Sequence, residues 1–394
     1  MRQTLQRRGA ASETAAERAH HRIILFRDRA DFREPFASAV SLHAHTQCSR
    51  EDLSFLPLYA TRIPIVSFLF RLEMERRRRA HEPSVDFKRG YWVPPLSAES
   101  VYVSERRRIH QRLGLTALVS ITDHDELNGA LQLRNVRSDA AVPVSTEWTV
   151  PFEGRILHLG LHNLPEAEAV DLMQDLRSYT RSPAENRLEQ LLERICEYPH
   201  ALVVLNHPFC DLVDLMAARQ RRPVLKFLRI YGDRVHALEI NGYRSWQENR
   251  LTLALADRFG IPVVSGGDRH CWAPNAVLNL SRAATFAGFV EEVRYRKTST
   301  VLIMPQYRRN LMVREVEALG DFFRHDPQNA AGSTPWTQRV FYRDQSGQER
   351  PLADYWKRFV PLWVKMVLGV TSLTANRTLQ TAFRWMSPPN QLPG

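Results

Sequence analysis

Cysteine is scarce in this chain, and what the sequence lacks excludes several classes of protein. Four cysteines occur among 394 residues, none of them in a CxxC pair and none preceded by a secretory signal. A disulfide-framework protein is therefore excluded, and we expect a reducing, cytoplasmic environment. Long apolar runs are also missing. The nearest candidate, residues 359–373, is interrupted by Lys365 and is shorter than the ~18–20 residues that a membrane-spanning helix needs.

Positive charge, by contrast, is in excess. Lysine and arginine number 54 against 43 acidic residues, which gives a net charge of +11 and an isoelectric point near 9.8. This balance points to an anionic partner such as a phosphate ester, a nucleic acid or a lipid surface. The excess is concentrated in arginine runs at 76–79 and 106–108, and because such runs are usually solvated helix faces, they do not distinguish these partners.

The pattern along the chain divides it into three parts. Residues 1–38 form a basic arm with one short apolar piece, residues 39–305 form the main body, and residues 306–394 form a partly helical C-terminal extension. An insertion at about 53–96 shows apolar residues at helical spacing but no strand pattern. Ser97 then provides an N-cap for a helix through Arg112.

Short apolar strands alternate with helical patterns in the main body, which predicts an α/β architecture with parallel strands. The predicted strands are 39–45, 117–122, 142–146, a hairpin strand at 155–161, 201–205, 237–241 and 261–265. Six of the fourteen histidines lie at strand ends or in the hairpin: His43, His45, His124, His158, His207 and His270. In parallel barrels this edge carries the active site, so the concentration favours a shared metal site over scattered structural histidines.

The first pair illustrates the argument. If residues 39–45 form a strand, alternation places His43 and His45 on the same face, with Ala44 pointing away. Two neutral imidazoles at a strand end make half of a metal site. A bare HxH is common, so the interpretation depends on partners supplied by the other strand ends.

Taken together, these segments resemble the motifs of the PHP (polymerase and histidinol phosphatase) family of metal-dependent phosphoesterases. The match covers roughly residues 39–305, and five motifs occur in family order with fitting spacings. They are Leu42-His43-Ala44-His45-Thr46, Ile121-Thr122-Asp123-His124-Asp125, Ser145-Thr146-Glu147 followed by His158, Asn206-His207-Pro208, and Ser265-Gly266-Gly267-Asp268-Arg269-His270. The resemblance implies a distorted (β/α)7 TIM-like barrel, here with an insertion after the first strand and a C-terminal extension. It also implies two or three divalent metal ions, commonly Mn, Fe or Zn.

The resemblance carries a set of metal ligands to this chain. The matching positions are His43, His45, His124, Glu147, His158, His207, Asp268 and His270. Where the family usually has Asp in the first motif, this chain has Arg50, so either Glu51 or Asp52 replaces that carboxylate or one metal is weak or missing. Arg269 is also larger than the small residue usual at its position.

A site of this kind has a defined chemistry. Imidazole and carboxylate ligands suit Mn, Fe and Zn, and two bridged ions lower the pKa of a shared water so that a hydroxide can attack phosphorus. Asp123 and Asp125 are candidates to orient His124 or to protonate the leaving oxygen. The predicted phosphate clamps are Arg50, Arg155, Arg244 and Arg269, with Arg269 also counted among the catalytic candidates. Glu239, which belongs to no motif, either faces the site or, as the sequence favours, is structural.

We therefore predict a metal-dependent phosphoesterase that hydrolyses a phosphomonoester or a small nucleotide through a metal-bridging hydroxide. Two alternatives remain open at this stage: a nuclease acting on short oligonucleotides, and a non-catalytic metal-binding scaffold. In the extension, Trp363, Met366, Val367 and Val370 mark an amphipathic helix flanked by basic residues. This helix either contacts an anionic membrane surface or, as the sequence favours, docks on the body or on a partner subunit. Nothing in the sequence fixes the oligomeric state.

Overall fold

The structure is a computed structural model. It describes residues 19–28, 35–53, 64–79, 86–137, 142–210, 217–323, 334–344 and 346–355, with positions 362, 364–366, 369 and 392. Most of the basic arm and parts of the insertion lie outside these ranges. Trp363, Val367 and Val370 lie outside them as well, so the amphipathic C-terminal helix stays a prediction. Across the described part of the chain, none of the helices has the length and apolar character required to cross a bilayer.

The described elements are fourteen strands and ten α-helices. The strands are β1 (His20–Leu25), β2 (Ser38–Ser41), β3 (Glu51–Asp52), β4 (Gly90–Trp92), β5 (Thr116–Val119), β6 (Val144–Phe152), β7 (Arg155–Leu164), β8 (Leu202–Asn206), β9 (Ala237–Asn241), β10 (Val263–Gly266), β11 (Val277–Ser281), β12 (Thr298–Ile303), β13 (Val340–Arg343) and β14 (Glu349–Pro351). The helices are α1 (Pro64–Arg79), α2 (Ala98–Leu113), α3 (Asn128–Arg137), α4 (Glu166–Arg181), α5 (Glu185–Glu197), α6 (Ala217–Tyr231), α7 (Trp246–Phe259), α8 (Phe286–Arg294), α9 (Leu311–Phe323) and α10 (Leu352–Tyr355).

Two five-stranded sheets make up the body. One has the order β1-β12-β11-β2-β5 and the other the order β10-β9-β8-β7-β6. Pairing is parallel between β2 and β5 and along β8-β9-β10, whereas β7 is antiparallel to both of its neighbours. The α/β class is thereby confirmed with a mixed rather than purely parallel pattern. The ladders of the described strands do not close into one continuous barrel, and the seven-unit barrel stays a prediction.

Single bridges nevertheless join the two sheets at the ends of their strands. Ala44, just after β2, bridges Arg269 after β10, and His124, after β5, bridges Glu147 in β6. The backbone N–H of His45 also donates to the carbonyl of Arg269 at 2.8 Å. The carboxyl ends of β2, β5 and β10 are therefore held beside β6, and this convergence positions the site.

Helix ends follow the local signals of the sequence. Ser97 caps α2, and its hydroxyl accepts the Ser100 N–H, as predicted. Ser245 and Glu248 form a complete capping box at the start of α7. Gly114 and Gly260 end α2 and α7 in the left-handed conformation that glycine adopts without a steric cost. Along α5, Leu188, Leu191, Leu192 and Ile195 recur at helical spacing, and all four are buried against the second sheet.

The strand bounds correct two details of the sequence interpretation. β2 ends at Ser41, so His43 and His45 follow the strand instead of alternating within it. Glu147 lies inside β6, which continues to Phe152, and does not mark the end of a strand. The side chains still converge because a loop after a strand end points into the same edge of the sheet as the strand itself.

A third, four-stranded sheet has the order β14-β13-β4-β3. It joins three distant parts of the chain: the segment just after the first motif (β3), the insertion (β4) and the C-terminal extension (β13 and β14). The prediction that the insertion lacks strands was wrong at β4. Three residues of strand are too short to show a hydrophobic period. One pairing partner, β13, also lies about 250 residues away in the sequence.

Candidate metal centre

All eight predicted metal ligands meet at the converging strand ends. His43 and His45 come from the segment after β2, His124 from the segment after β5, Glu147 from β6, His158 from β7, His207 from the segment after β8, and Asp268 and His270 from the segment after β10. The imidazole rings pack closely: the His45 ring centroid lies 4.2 Å from that of His270 and 4.8 Å from that of His124. The sequence therefore identified the members of one cluster.

The backbone is strained at several of these positions. His43, Asp268 and His207 have φ values of 62°, 50° and 25°, in or near the left-handed region that non-glycine residues rarely adopt. Each such residue costs on the order of 1–3 kcal/mol and persists only where the surroundings hold it. Backbone strain of this kind concentrates at functional sites, where the required direction of a side chain outweighs the energetic cost of an unfavourable φ.

Glu147 is the centre of the cluster. Its side chain is fully buried, and nitrogen atoms of five histidines surround its two oxygens. The distances are 3.0 Å from Oε2 to His43 Nε2, 3.3 Å to His45 Nε2 and 3.3 Å to His124 Nε2, then 3.1 Å from Oε1 to His207 Nε2 and 3.6 Å to His158 Nδ1. A carboxylate in this position can bridge two ions, one on each side.

Glu51 lies at the outer side of the cluster, among three imidazoles. Its Oε2 atom is 3.2 Å from His270 Nε2 and 3.4 Å from His124 Nε2, and its Oε1 atom is 3.6 Å from His45 Nδ1. The Ser49 hydroxyl donates to Oε1 at 2.6 Å and fixes the carboxylate. The structure thus brings a carboxylate into the cluster at the residue after Arg50.

Alternation along β3 decides between the two candidate replacements. Glu51 and Asp52 are adjacent strand residues and point to opposite faces. Glu51 is buried, whereas Asp52 is exposed. Arg50 shares the outward direction of Asp52, and its guanidinium pairs with Glu349 Oε1 at 3.1 Å. Glu51 is accordingly the carboxylate that faces the imidazoles.

Asp268 provides a third carboxylate. Its Oδ1 atom lies 3.6 Å from His43 Nε2, 3.7 Å from His45 Nε2 and 3.6 Å from His270 Nδ1. Its Oδ2 atom lies 3.4 Å from Nη2 of Arg244. Asp268 therefore connects the inner imidazoles to a cationic side chain on the loop after β9.

The donor set fits divalent metal ions. Three overlapping groups of residues could each hold an ion, because within each group the donor atoms lie within 4.8 Å of one another. The groups are His45, Glu51, His124 and His270; His43, His45 and Glu147; and His124, Glu147 and His158. The Nε2 atom of His45 is buried and has no hydrogen-bond partner. Buried polar atoms in folded proteins almost always have a hydrogen-bond partner. His45 Nε2 has none, as expected of an atom that binds a metal ion. Mixed imidazole and carboxylate donors suit Mn, Fe and Zn.

The pKa values of the histidines diverge within the cluster. Burial opposes charge on His43, but the carboxylates of Glu147, Glu239 and Asp268 outweigh it and raise the pKa of His43 well above its usual value. Burial together with the neighbouring His270 lowers the pKa of His45 to about 4. Without metal, protonated histidines such as His43 therefore neutralise the charge of the buried carboxylates. Divalent ions that bind to these imidazoles would release their protons.

The carboxylates shift in the complementary direction. Burial favours the neutral acid at Glu147, yet the charges on His43, His124 and His158 lower its pKa well below the ordinary value. At Glu51, His270 and His124 likewise overcome burial and lower the pKa. Both carboxylates are consequently ionised at neutral pH, which is the form that binds a metal.

Glu239 is the site residue that the sequence interpretation placed wrongly. It was predicted to be structural, but its Oε2 atom lies 2.6 Å from Nδ1 of His43. Gly266 faces it so closely that a Cβ there would lie 2.1 Å from Oε2. A carboxylate on Nδ1 leaves Nε2 free to bind a metal and orients the ring, as second carboxylates commonly do for metal-binding histidines. The available signal was its place near the end of β9, two residues before Asn241.

Two amides and a hydroxyl complete the surroundings. Asn206 donates to Glu147 Oε1 at 2.9 Å, and Asn241 donates to Glu239 Oε1. The Ser49 hydroxyl accepts from the backbone N–H of His124 at 3.0 Å. These contacts fix the carboxylates against the imidazoles. Asn206 belongs to the fourth motif, whereas no motif pointed to Asn241 or Ser49.

Asp123 and Asp125 are hydrogen-bonded to neighbouring segments of the site. The Asp123 carboxylate accepts the Thr46 N–H at 2.6 Å and the Thr46 hydroxyl at 2.8 Å, while Asp125 Oδ1 accepts the Thr149 N–H at 2.8 Å. Burial raises the pKa of Asp123 to about 7. Each carboxylate thus accepts at least one backbone N–H, and the roles of orienting His124 or protonating the leaving oxygen stay predictions.

The four predicted arginine clamps have different surroundings. Arg269 is buried, and its guanidinium donates to Glu105 at 2.7 Å and to the carbonyls of Cys271 and Trp272. These contacts engage the side chain in the core, and they do not support the predicted catalytic or clamping role. Arg50 is engaged by Glu349 on the outer face, as described above. Arg155 begins β7, and its role as a phosphate clamp stays a prediction.

Arg244 is the predicted clamp that reaches the cluster. Nη2 faces Asp268, and Nη1 donates to the Tyr243 carbonyl. The Nε atom is buried without a hydrogen-bond partner. This Nε–H lies beside Asp268, a predicted metal ligand, and is available to donate a hydrogen bond to an anionic oxygen of a substrate.

Two solved structures similar to this chain are distant matches. No family model matches the chain, and no curated protein matches it. An amidohydrolase from Chromobacterium violaceum, solved with bound sulfate and no metal, is 17% identical over 45% of this chain and 84% of its own, with a TM-score of 0.33. A protein from Bifidobacterium adolescentis, assigned by inference as a metal-dependent phosphoesterase, is 14% identical over 51% of this chain and 91% of its own, with a TM-score of 0.31. Similarities at this level carry no argument about activity, which rests on the site itself.

Proposed function

We propose that this protein is a metal-dependent hydrolase of phosphoric esters that acts on a phosphomonoester or a small nucleotide. The observation that carries the proposal is the cluster around Glu147, in which a fully buried carboxylate is surrounded by five histidine nitrogens within 3.6 Å. Two or three Mn, Fe or Zn ions would be held by the eight predicted ligands together with Glu51. Such ions activate water and neutralise phosphate charge.

The chain's own residues then have separate tasks. Glu147, Glu51 and Asp268 offer three carboxylates against two or three divalent ions, so the filled site retains positive charge and attracts a phosphate dianion. Arg244, with its unpartnered Nε, would bind a non-bridging phosphate oxygen. Displacement at phosphorus depends mainly on charge neutralisation and positioning, which these groups supply without a covalent nucleophile.

The proposal extends to the architecture. The bridges between β2 and β10 and between β5 and β6 support a distorted (β/α)7 barrel over residues 39–305. Residues 1–38 would then be an appended arm, 53–96 an insertion and 306–394 an extension.

The nuclease alternative loses part of its support. The arginine run at 76–79 lies at the end of α1, where Arg77 pairs with Glu73, and Arg78 and Arg79 pair with Glu75. These i,i+3 and i,i+4 pairs offset much of the charge that suggested a nucleic-acid surface.

The test is phosphate release by the purified protein loaded with Mn²⁺ or Zn²⁺, across nucleotides, sugar phosphates and histidinol phosphate. We expect metal-stimulated turnover that a chelator abolishes, that Glu147→Gln reduces by at least about 100-fold, and that Asp52→Asn leaves unchanged. Tight metal binding without turnover of any phosphoester would contradict the proposal and favour the scaffold. Degradation of labelled oligonucleotides, with binding that weakens steeply with salt, would favour the nuclease.

A further inference from the structure

The four-stranded sheet β14-β13-β4-β3 has an inner and an outer face, and the inner face borders the metal centre. Glu51 of β3 lies directly opposite Trp92 of β4, and Trp92 lies directly opposite Val340 of β13. Residues paired across strands share a face, so these three side chains form one row. The Trp92 ring centroid lies 5.7 Å from that of His270 and 4.9 Å from that of Phe322 in α9. The row therefore runs from the extension to the cluster.

The outer face carries a separate network that ties the same strands together. Tyr91 stacks on Phe341 with ring centroids 5.2 Å apart, and the Tyr91 hydroxyl donates to Glu349 Oε2 at 2.9 Å. Glu349 also accepts from Arg50 at 3.1 Å and pairs with Arg343 on the neighbouring strand. One carboxylate of the extension thus links the residue just before Glu51 to both β4 and β13.

β3 depends on this support because it is short and lies at the edge of the sheet. It comprises two residues and, among the strands that the structure describes, pairs with β4 alone. An edge strand of this length has too few ladder bonds to fix its own register. A slip by one residue would exchange Glu51 for Arg50 or Asp52 at the metal centre, since alternation reverses every side chain.

From this placement we infer that the β13–β14 hairpin of the C-terminal extension is part of the metal centre's framework. It positions Glu51 as a ligand, with Glu349 as the positioning residue. The inference rests on the proposed function, because it takes Glu51 to be a metal ligand. It assigns the extension a role in loading the ion held among Glu51, His45, His124 and His270, and no role in holding the ions on the inner side of Glu147.

The test is zinc binding by the full chain, stripped of metal and titrated with Zn²⁺ against a chromophoric chelator, so that affinity is read without turnover. Glu51→Gln identifies the class of zinc that depends on Glu51. We expect Glu349→Gln to weaken that same class by about 10-fold and to leave the remaining zinc unchanged, as loss of an outer positioning group does at metal sites. Tyr91→Phe, which removes only the hydroxyl, should give a smaller shift in the same class.

Asp344→Asn is the matched control, because Asp344 lies in the same hairpin and its carboxylate accepts hydrogen bonds from Ser346 and Gln348 at the turn. It should bind zinc as the unmodified chain does. Unchanged binding in both Glu349→Gln and Tyr91→Phe would overturn the inference while leaving the proposed function intact. Equal weakening of every zinc would also overturn it, since it would show general loosening instead of positioning. An unmodified chain that binds no zinc would overturn the proposed function, and the inference with it.

Discussion

The contact between Glu239 and His43 leads to a quantitative prediction about metal affinity. Glu239→Gln keeps the size of the side chain but removes the charge that faces Nδ1 of His43 at 2.6 Å. The imidazole then becomes a weaker donor at Nε2, and its orientation is less firmly fixed. Loss of such a partner typically reduces metal affinity 10- to 100-fold, which corresponds to about 1.4–2.7 kcal/mol.

The assay is competition for Zn²⁺ with a chromophoric chelator, together with circular dichroism to establish that the variant is folded. Glu248→Gln is the control, because Glu248 completes the cap of α7 and does not touch the cluster. It should leave zinc affinity unchanged and change stability little, because Gln also completes a capping box. A folded Glu239→Gln protein that binds zinc within twofold of the unmodified chain would refute the reasoning.

Two further predictions concern stability, measured by urea unfolding in the presence of chelator. Arg269→Met leaves the buried carboxylate of Glu105 without its cationic partner, so we expect the free energy of unfolding to fall by about 3–5 kcal/mol. A loss below about 1 kcal/mol would show that the fold does not need this ion pair. Burial lowers the pKa of His236 to about 3, so the folded protein keeps this ring neutral while the unfolded chain protonates it below about pH 6.5. Its stabilisation is therefore complete above that pH and is lost progressively as the pH falls toward 3. The difference in stability between the unmodified chain and His236→Asn should shrink by about 2 kcal/mol from pH 7 to pH 5, and a difference that stays constant would contradict this.

Local patterns in the sequence were sufficient to identify the members of the cluster. His43, His124, His207 and Asp268 each follow an apolar run, and the carboxyl ends of parallel strands meet at one edge. The inference survived wrong strand bounds, since the loop after β2 reaches the same edge that a longer strand would have reached. Chain order and residue type were enough here because convergence is a property of the architecture.

Residue roles that depend on distant partners could not be predicted. Arg269 looked like a phosphate clamp from its place between two ligands, but Glu105 of α2, 164 residues away, binds its guanidinium in the core. Glu239 looked structural because it belongs to no motif, yet it contacts His43 across 196 residues. Side-chain direction at a strand end is set by packing and cannot be read from spacing.

The identification of Glu51, the residue after Arg50, required both the sequence and the tertiary structure. By itself the sequence determined that a carboxylate was missing at position 50 and that Glu51 or Asp52 could replace it. Only the tertiary structure decided between them, because the face to which each points depends on the register of β3 against β4. β3 pairs with β4 of the insertion, and β4 in turn pairs with β13 of the extension, nearly 300 residues after β3. No local pattern in the sequence encodes a pairing over that distance.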